Sequence, residues 1–350
     1  MGIGAFLKFG PTFGAAPRGD SLAKIKASPN FHKGKFRNLV ETVVDTSTPD
    51  QPNSFRSFFN PPAGKLPTEP LPSRSFSSAN LTTGNFVWLG HSTVLFNVNG
   101  AMILTDPVFN RASPIPFGGE AFSLTQPPSI KALPDIDVII ISHDHYDHLD
   151  HKAIIDLDAK VDRFLVPLGI GAHLQHWGVA AEKITELDWY DTEQIRNIDF
   201  TLAPARHFSG RGLTDRFSTL WGSWVVTSDD LNVYFSGDGG YSEEFTNIGK
   251  MYGPFDIAFI ENGAYNEGWS QIHMFPEQSV QASVDLQARI FFPIHWSKFD
   301  LSLHPWDEPA QRAATHAEKL SVTMASPLIG ETFSLQDVPQ ERWWETSHKL

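Results

Sequence analysis

A layered domain mixing strands and helices, α/β or α+β, is predicted over about residues 86–335 of this chain. Three observations predict it. Short apolar runs rich in β-branched and aromatic residues recur from Phe86 onward. Helical patterns with recognisable caps lie between some of them. A histidine or aspartate stands just past four of the runs, and functional residues gather at the carboxyl ends of strands in open α/β sheets.

The elements follow in order. Residues 1–85 hold 10 of the 25 prolines and carry 10 Lys+Arg against 5 Asp+Glu, whereas the rest of the chain carries 17 against 35. The run PPAGKLPTEPLP can form neither a regular helix nor a central strand. Residues 1–85 are therefore read as a Pro-rich, basic, irregular extension packing on a body at 86–350. Its charge, with Phe6, Phe9 and Phe13, suits contact with a membrane surface or a partner. From Phe86 come FVWL, TVLFNV and AMIL, with Asn99-Gly100 as a strong hairpin turn between the last two. DVIII, RFLV, DFTLA, GSWVV, NVYF, DIAFI and RIFF follow as further strands. IGAHLQHW ends at Gly178, a helix cap. PEQSVQASVDLQ starts a helix at Pro276 with Glu277 beside it. AQRAATHAEKL (310–320) is a third helix. No internal repeat is visible.

Composition sets limits. The chain has 350 residues, 41% hydrophobic, with a formal charge of −13 and no cysteine. Disulfides, thiolate metal sites and a cysteine nucleophile are excluded, so any metal is held by histidines and carboxylates. The acidic balance argues against a nucleic-acid partner. No run reaches the roughly 18 apolar residues of a membrane span. The start makes a poor secretory signal, and Phe6 stands where a myristoylation pattern wants Ser or Thr. A cytoplasmic protein is expected, with membrane association and a homodimer left open.

One cluster dominates the 14 histidines: Ser142-His143-Asp144-His145-Tyr146-Asp147-His148-Leu149-Asp150. Directly after an apolar strand, His143 and His145 can bind one metal ion, and Asp147 and His148 can face a second. Imidazole and carboxylate suit Zn²⁺, Mn²⁺ or Fe. His207, Asp238 and His295 each sit just past a strand, as His143 does, and form a consistent set with it. His173, His176, His316 and His348 are read as surface or packing residues, and His304 is left open. His91, in GHSTV, is read as a satisfied, partly buried structural residue.

The pattern HxHxDH followed by a distant His, Asp and His resembles the metallo-β-lactamase-fold hydrolases. WLGHSTVLF, ILTDPVF, RASP, VPLG, ELDWY, WGSW, SGDGGY, GPFDIAFIENGAY and PIHW narrow the resemblance to the N-acyl-phosphatidylethanolamine-hydrolysing phospholipase D family. They are also similar to an ascorbate-phosphate lactonase-like branch. The resemblance covers roughly residues 86–300. It implies a four-layer αββα sandwich with two zinc ions at one edge. Carried over, His143, His145 and His207 hold the first ion, Asp147, His148 and His295 the second, and Asp238 bridges them. Gly239 departs from the family, where a threonine is usual.

The resemblance also implies the reaction. A hydroxide shared by the two metals, ligated in part by Asp147, attacks a phosphodiester of a lipid such as an N-acyl-phosphatidylethanolamine. Phosphatidic acid and an N-acylethanolamine result. His273, in QIHMFPEQ, is the candidate acid for the leaving group, and Tyr265 contacts the phosphoryl group. Asp106 and Asp144 are candidates for orienting the imidazoles, and the alternative for Asp106 is to cap a turn before Pro107. The alternative is a lactonase or phosphodiesterase acting on a small soluble substrate.

Overall fold

A computed structural model describes residues 10–44, 63–78, 81–115 and 117–346. Phe6, Phe9, the prolines from 49 to 62 and His348 lie outside the described residues. Among its described residues the amino-terminal extension holds a 3-10 turn (Pro11–Phe13), helix α1 (Gly19–Ala27) and a small hairpin of β1 (Phe31–His32) and β2 (Lys35–Phe36). Ile25 and Phe36, each 1% exposed, join the main hydrophobic core, so this described part of the extension is packed into the body.

Two seven-stranded sheets make the body. The first contains β3 (Asn85–Trp88), β4 (Val94–Val98), β5 (Ala101–Thr105), β6 (Ile136–Ile140), β7 (Val161–Pro167) and β8 (Ile184–Leu187). The second contains β9 (Thr192–Ile195), β10 (Ile198–Ala203), β11 (Ser223–Thr227), β12 (Asn232–Phe235), β13 (Ile257–Glu261), β14 (Ile290–Ile294) and β15 (Thr323–Met324). Strand β16 (Thr332–Ser334) returns to pair antiparallel with β3 and completes the first sheet. Each sheet begins as an antiparallel meander and becomes parallel: β5–β6–β7–β8 in one, β12–β13–β14–β15 in the other. The β4–β5 hairpin turns at Asn99-Gly100 as the sequence predicts, with φ of 51° and 83°, the two positive values that such a turn demands.

Period-two alternation decides which residues meet. From the first sheet, Val94, Phe96, Ile103, Val138, Ile140 and Leu165 face the second sheet. Their neighbours Leu95, Leu104, Ile139, Phe164 and Val166 form a separate core with α2 (His151–Leu157) and α3 (Gly171–His176). This is why the central strands read as unbroken apolar runs: both faces are covered. Phe86 and Phe96 meet Phe259 across the sheets at ring separations of 5.8 and 6.2 Å. Beyond the second sheet lie α4 (Glu244–Tyr252), α5 (Pro276–Asp285) and α6 (Glu308–Leu320). Helix α5 lies against β13, β14 and α6. A short α7 (Trp343–Thr346) closes the chain. The layers run helix, sheet, sheet, helix.

Glycine brings the sheets together at one edge. A Cβ on Gly237 (φ 57°) would stand 2.4 Å from Ser142 Cβ. Gly222 N donates to Ser142 O at 2.9 Å and Trp224 Nε1 to Ile141 O at 2.9 Å. The segment after β6 is thereby stitched to the start of β11 and to the segment after β12.

Candidate metal centre

That stitched edge gathers the carboxyl ends of β5, β6, β12, β13 and β14. Strand β6 ends at Ile140 and delivers the 142–150 segment. This segment is a turn that Asp150 closes as the amino-terminal cap of α2, its Oδ1 accepting from Lys152 N and Ala153 N. Strand β12 delivers Asp238, β14 delivers His295, and the loop after β10 delivers His207.

The structure brings all seven predicted ligands together, in two groups. His143 Nε2 is 2.9 Å from His145 Nδ1, which is 3.3 Å from His207 Nε2. Asp147 Oδ2 is 3.2 Å from His295 Nε2 and 3.5 Å from His148 Nε2. Asp238 Oδ2 lies between the groups, 3.1 Å from His148 Nε2, 3.0 Å from His295 Nε2, and 3.8 and 3.9 Å from the Nε2 atoms of His143 and His207.

These residues fit metal ions. Bonds of about 2.0–2.1 Å in a tetrahedron put donor atoms roughly 3.3 Å apart, close to the spacing in both groups. Among the described residues His148 Nε2 and Asp238 Oδ1 are buried with no hydrogen-bond partner, and buried polar atoms seldom go unmatched. The donor set is nitrogen and oxygen throughout.

The electrostatics agree. Burial alone would raise the Asp147 and Asp238 carboxyls, but facing His148 and His295 they are held well below the usual range. Burial opposes charge on His295, yet Asp238 and Asp147 lift it to about 10, and His148 rises likewise. Loading a cation therefore displaces protons, so metal uptake strengthens as pH rises.

Outer contacts orient the imidazoles. His148 Nδ1 donates to Asp106 Oδ2 at 2.6 Å, and Asp106 is itself fixed by Ser142 N (2.7 Å) and Ser142 Oγ (2.5 Å). Ser142 Oγ also meets His143 Nδ1 at 2.9 Å. His207 Nδ1 donates to Ile272 O at 2.9 Å. The extension contributes here too: the Asn38 amide brackets the His207 backbone, donating to its carbonyl at 2.8 Å and accepting from its N–H at 3.0 Å. Asp106 thus orients a ligand, one of the two roles that its sequence context allows. Asp144 does not touch an imidazole of the cluster. It accepts from Gly210 N at 2.7 Å and Thr219 Oγ1 at 2.8 Å, and faces the buried packing residue His173 at 3.4 Å.

Outer-shell partners are worth about 10–100-fold in metal affinity. Asp106→Ala is therefore expected to weaken binding at the His148 group by that factor, while His143, His145 and His207 keep theirs. Titrating metal-free protein against a chromophoric chelator measures this, and two unchanged affinities would show that Asp106 only caps the turn.

His273 and Glu261 also belong to the cluster. His273 Nδ1 lies 2.6 Å from Glu261 Oε1, and its ring centroid is 5.2 Å from that of His207 and 5.4 Å from that of His295. Glu261, fully buried at the end of β13, accepts from Gly239 N at 3.1 Å. Sequence reasoning found His273 but not Glu261, whose only signal is a carboxylate ending an apolar strand. The expectation for His91 needs correcting. It is 1% exposed, its Nδ1 has no partner, and its Nε2 is 3.1 Å from Asp147 Oδ2. Burial, aided by His295, pushes its pKa down to about 3, so the ring is neutral. Tyr265 donates its hydroxyl to Glu308 Oε1 at 2.6 Å, and its ring stacks on His304 at 4.3 Å. His304, Phe122, Phe299 and Lys65 line a cleft that reaches His295. The cluster opens to solvent on the side of His145, Asp147 and His273, which are partly exposed where most of the others are buried.

The chain is similar to several known proteins. The β-lactamase superfamily domain model matches residues 101–296. An uncharacterized protein of Mycobacterium tuberculosis is 40% identical over 331 residues, spanning 90% of this chain and 88% of that one. N-acyl-phosphatidylethanolamine-hydrolyzing phospholipase D 1 of Caenorhabditis elegans is 33% identical over 269 residues, 71% of this chain and 75% of the relative. Among solved structures, a metallo hydrolase from the archaeon Ignicoccus hospitalis shares the fold, with a TM-score of 0.54 at 21% identity over 72% of this chain and 98% of that one.

Proposed function

The chain belongs to the metallo-β-lactamase superfamily of metal-dependent hydrolases, and from that premise we propose that it is a two-metal phosphodiesterase of phospholipase D type. The substrate is an N-acyl-phosphatidylethanolamine-like lipid, and the products are phosphatidic acid and an N-acylethanolamine. The observation that carries this reading is Asp238 Oδ2, placed between two ligand groups beside a histidine that a buried carboxylate holds. The likeness to the C. elegans phospholipase D supports the substrate class.

His143, His145 and His207 would hold one ion, Asp147, His148 and His295 the other, with Asp238 between the two groups, and zinc suits this nitrogen and oxygen donor set. Bound there, two such ions would acidify a water and offset charge on the phosphoryl oxygens and the leaving oxygen. The chain's own residues do the rest. Glu261 occupies His273 Nδ1, so the second ring nitrogen is free for the substrate. His273 passes its proton to the ethanolamine oxygen as the P–O bond breaks, which removes the cost of expelling an alkoxide. Tyr265, its ring stacked on His304 beside the cleft that reaches His295, contacts the phosphoryl group.

The extension presents a lipid-facing edge. Leu39, Val40 and Val43 are 50%, 46% and 58% exposed, next to exposed Lys33, Lys35 and Arg37 and just beyond Asn38, which holds the His207 backbone. Among the described residues no helix is long and apolar enough to cross a membrane. This edge instead makes a peripheral contact with an anionic lipid surface. Replacing Leu39, Val40 and Val43 with Ser should lower turnover of micellar lipid about tenfold or more, since roughly 1.4 kcal/mol is tenfold and each buried side chain is worth more than that. Hydrolysis of a soluble phosphodiester should not change. Equal losses on both substrates would place these residues in the catalytic structure and not on a membrane.

The test of function is release of phosphatidic acid from N-acyl-phosphatidylethanolamine in mixed micelles. Release that stops on chelation and returns with Zn²⁺ is expected. Turnover of only soluble lactones or phosphodiesters by the fully metallated protein would replace the lipid substrate with a small one.

A further inference from the structure

His91 makes contacts that the ligand assignment leaves unused. It stands in the turn between β3 and β4 at φ 56°, a left-handed conformation that costs a residue with a Cβ. Its carbonyl accepts from Trp88 Nε1 at 2.9 Å and from the backbone N–H of His295 at 3.2 Å. Its ring lies 4.0 Å from that of His295, centroid to centroid, and Phe299 meets it edge-on at 5.1 Å. Its Nε2 is 3.1 Å from Asp147 Oδ2. One residue thus touches two members of the second ligand group, His295 through its main chain and Asp147 through its side chain.

The two imidazoles differ in what they reach. His295 Nε2 contacts both acids of the group, Asp147 at 3.2 Å and Asp238 at 3.0 Å. The acid that His91 contacts is Asp147. Asp147 has the most to gain from such a hold. Its side chain is 15% exposed against 2% for Asp238 and 0% for His148. A ligand at the solvent edge keeps rotamer freedom that binding must remove.

We infer that His91 is a positioning residue for the second metal: its Nε2–H donates to Asp147 and fixes that carboxylate in the ligating rotamer, while its carbonyl braces His295. The inference rests on the two-ion reading above. Second-sphere contacts of this kind carry about 10–100-fold in metal affinity. The hold also gives the GHST turn a task at the site beyond joining two strands.

The experiment titrates metal-free wild type, His91→Ala and His91→Gln with Co²⁺, following stoichiometry, affinity and the visible spectrum, with circular dichroism of each metal-free protein as the check on folding. Wild type should bind two ions. His91→Ala should bind the first as wild type does and the second about 10–100-fold more weakly. Gln can donate its amide N–H to the same carboxylate, so His91→Gln should recover most of that affinity and show the wild-type spectrum. Should His91→Ala not fold, His91→Gln against wild type decides alone. An unweakened second ion in His91→Ala, or a Gln variant no better than Ala, overturns the inference. So does a changed spectrum in His91→Gln, which would make the imidazole a ligand. Wild type that binds a single ion overturns the two-ion reading instead, so the two failures are told apart.

Discussion

Asp238→Asn should cost about 10²–10³-fold in kcat/KM, the loss typical when one preorganised electrostatic group is removed from a water-poor site. The reason is position. Its Oδ2 stands near both ligand groups, 3.0 and 3.1 Å from one pair of imidazoles and 3.8 and 3.9 Å from the other. Asparagine keeps the volume and removes the charge, so the sheets should still meet at Gly237 and Ser142. The buried ions would then lose their shared anion. Metal analysis with kinetics on a soluble phosphodiester checks this, and near-normal turnover would remove Asp238 from the centre. Asp147→Asn should act more narrowly, weakening the second ion and leaving the His143, His145 and His207 group loaded.

His273→Ala should lower turnover of the lipid by about 10²–10⁴-fold, the usual contribution of a positioned general acid. Its signature is the dependence on leaving group. An N-acylethanolamine alkoxide needs a proton to depart, whereas a nitrophenolate does not. On a nitrophenyl phosphodiester the variant should therefore come close to wild type, with metal content unchanged. Glu261→Gln should fall in the same direction, because it removes the carboxylate charge that favours a ring carrying a proton on both nitrogens, one toward Glu261 and one toward the substrate. Equal losses on both esters would mean that His273 does not act as the acid. Loss of metal would mean that it is a ligand, a geometry the cluster permits, since ligand atoms of His207, Asp238 and His273 lie within 4.8 Å of one another.

Much of the centre was legible because its parts obey one rule. His143, Asp238 and His295 each follow an apolar run, and the fold places those strand ends at one edge. The apolar runs were themselves legible because their strands are buried on both faces. The missed strands lack that signal. β8 and β9, ITEL and TEQI, are short, carry acids and lie near the rims of their sheets. Helix α2 was hidden because its cap, Asp150, closes the metal motif itself.

Residues that act on other residues were harder to see. Glu261 looks like the polar end of a buried strand until Gly239 and His273 are found on its two oxygens. His91 is a lone histidine in a tight turn, and its partner is 56 residues away. Asn38 lies in a basic arm, and its contact with His207 spans 169 positions. Spacing within one segment cannot show such pairings, because they depend on how distant turns are brought together.

The most direct test is anomalous diffraction from crystals of the zinc-loaded protein. Two peaks are predicted, one ringed by His143, His145 and His207, the other by Asp147, His148 and His295, with Asp238 between them. A single peak, or a second one away from these residues, would contradict the two-metal centre on which the account rests.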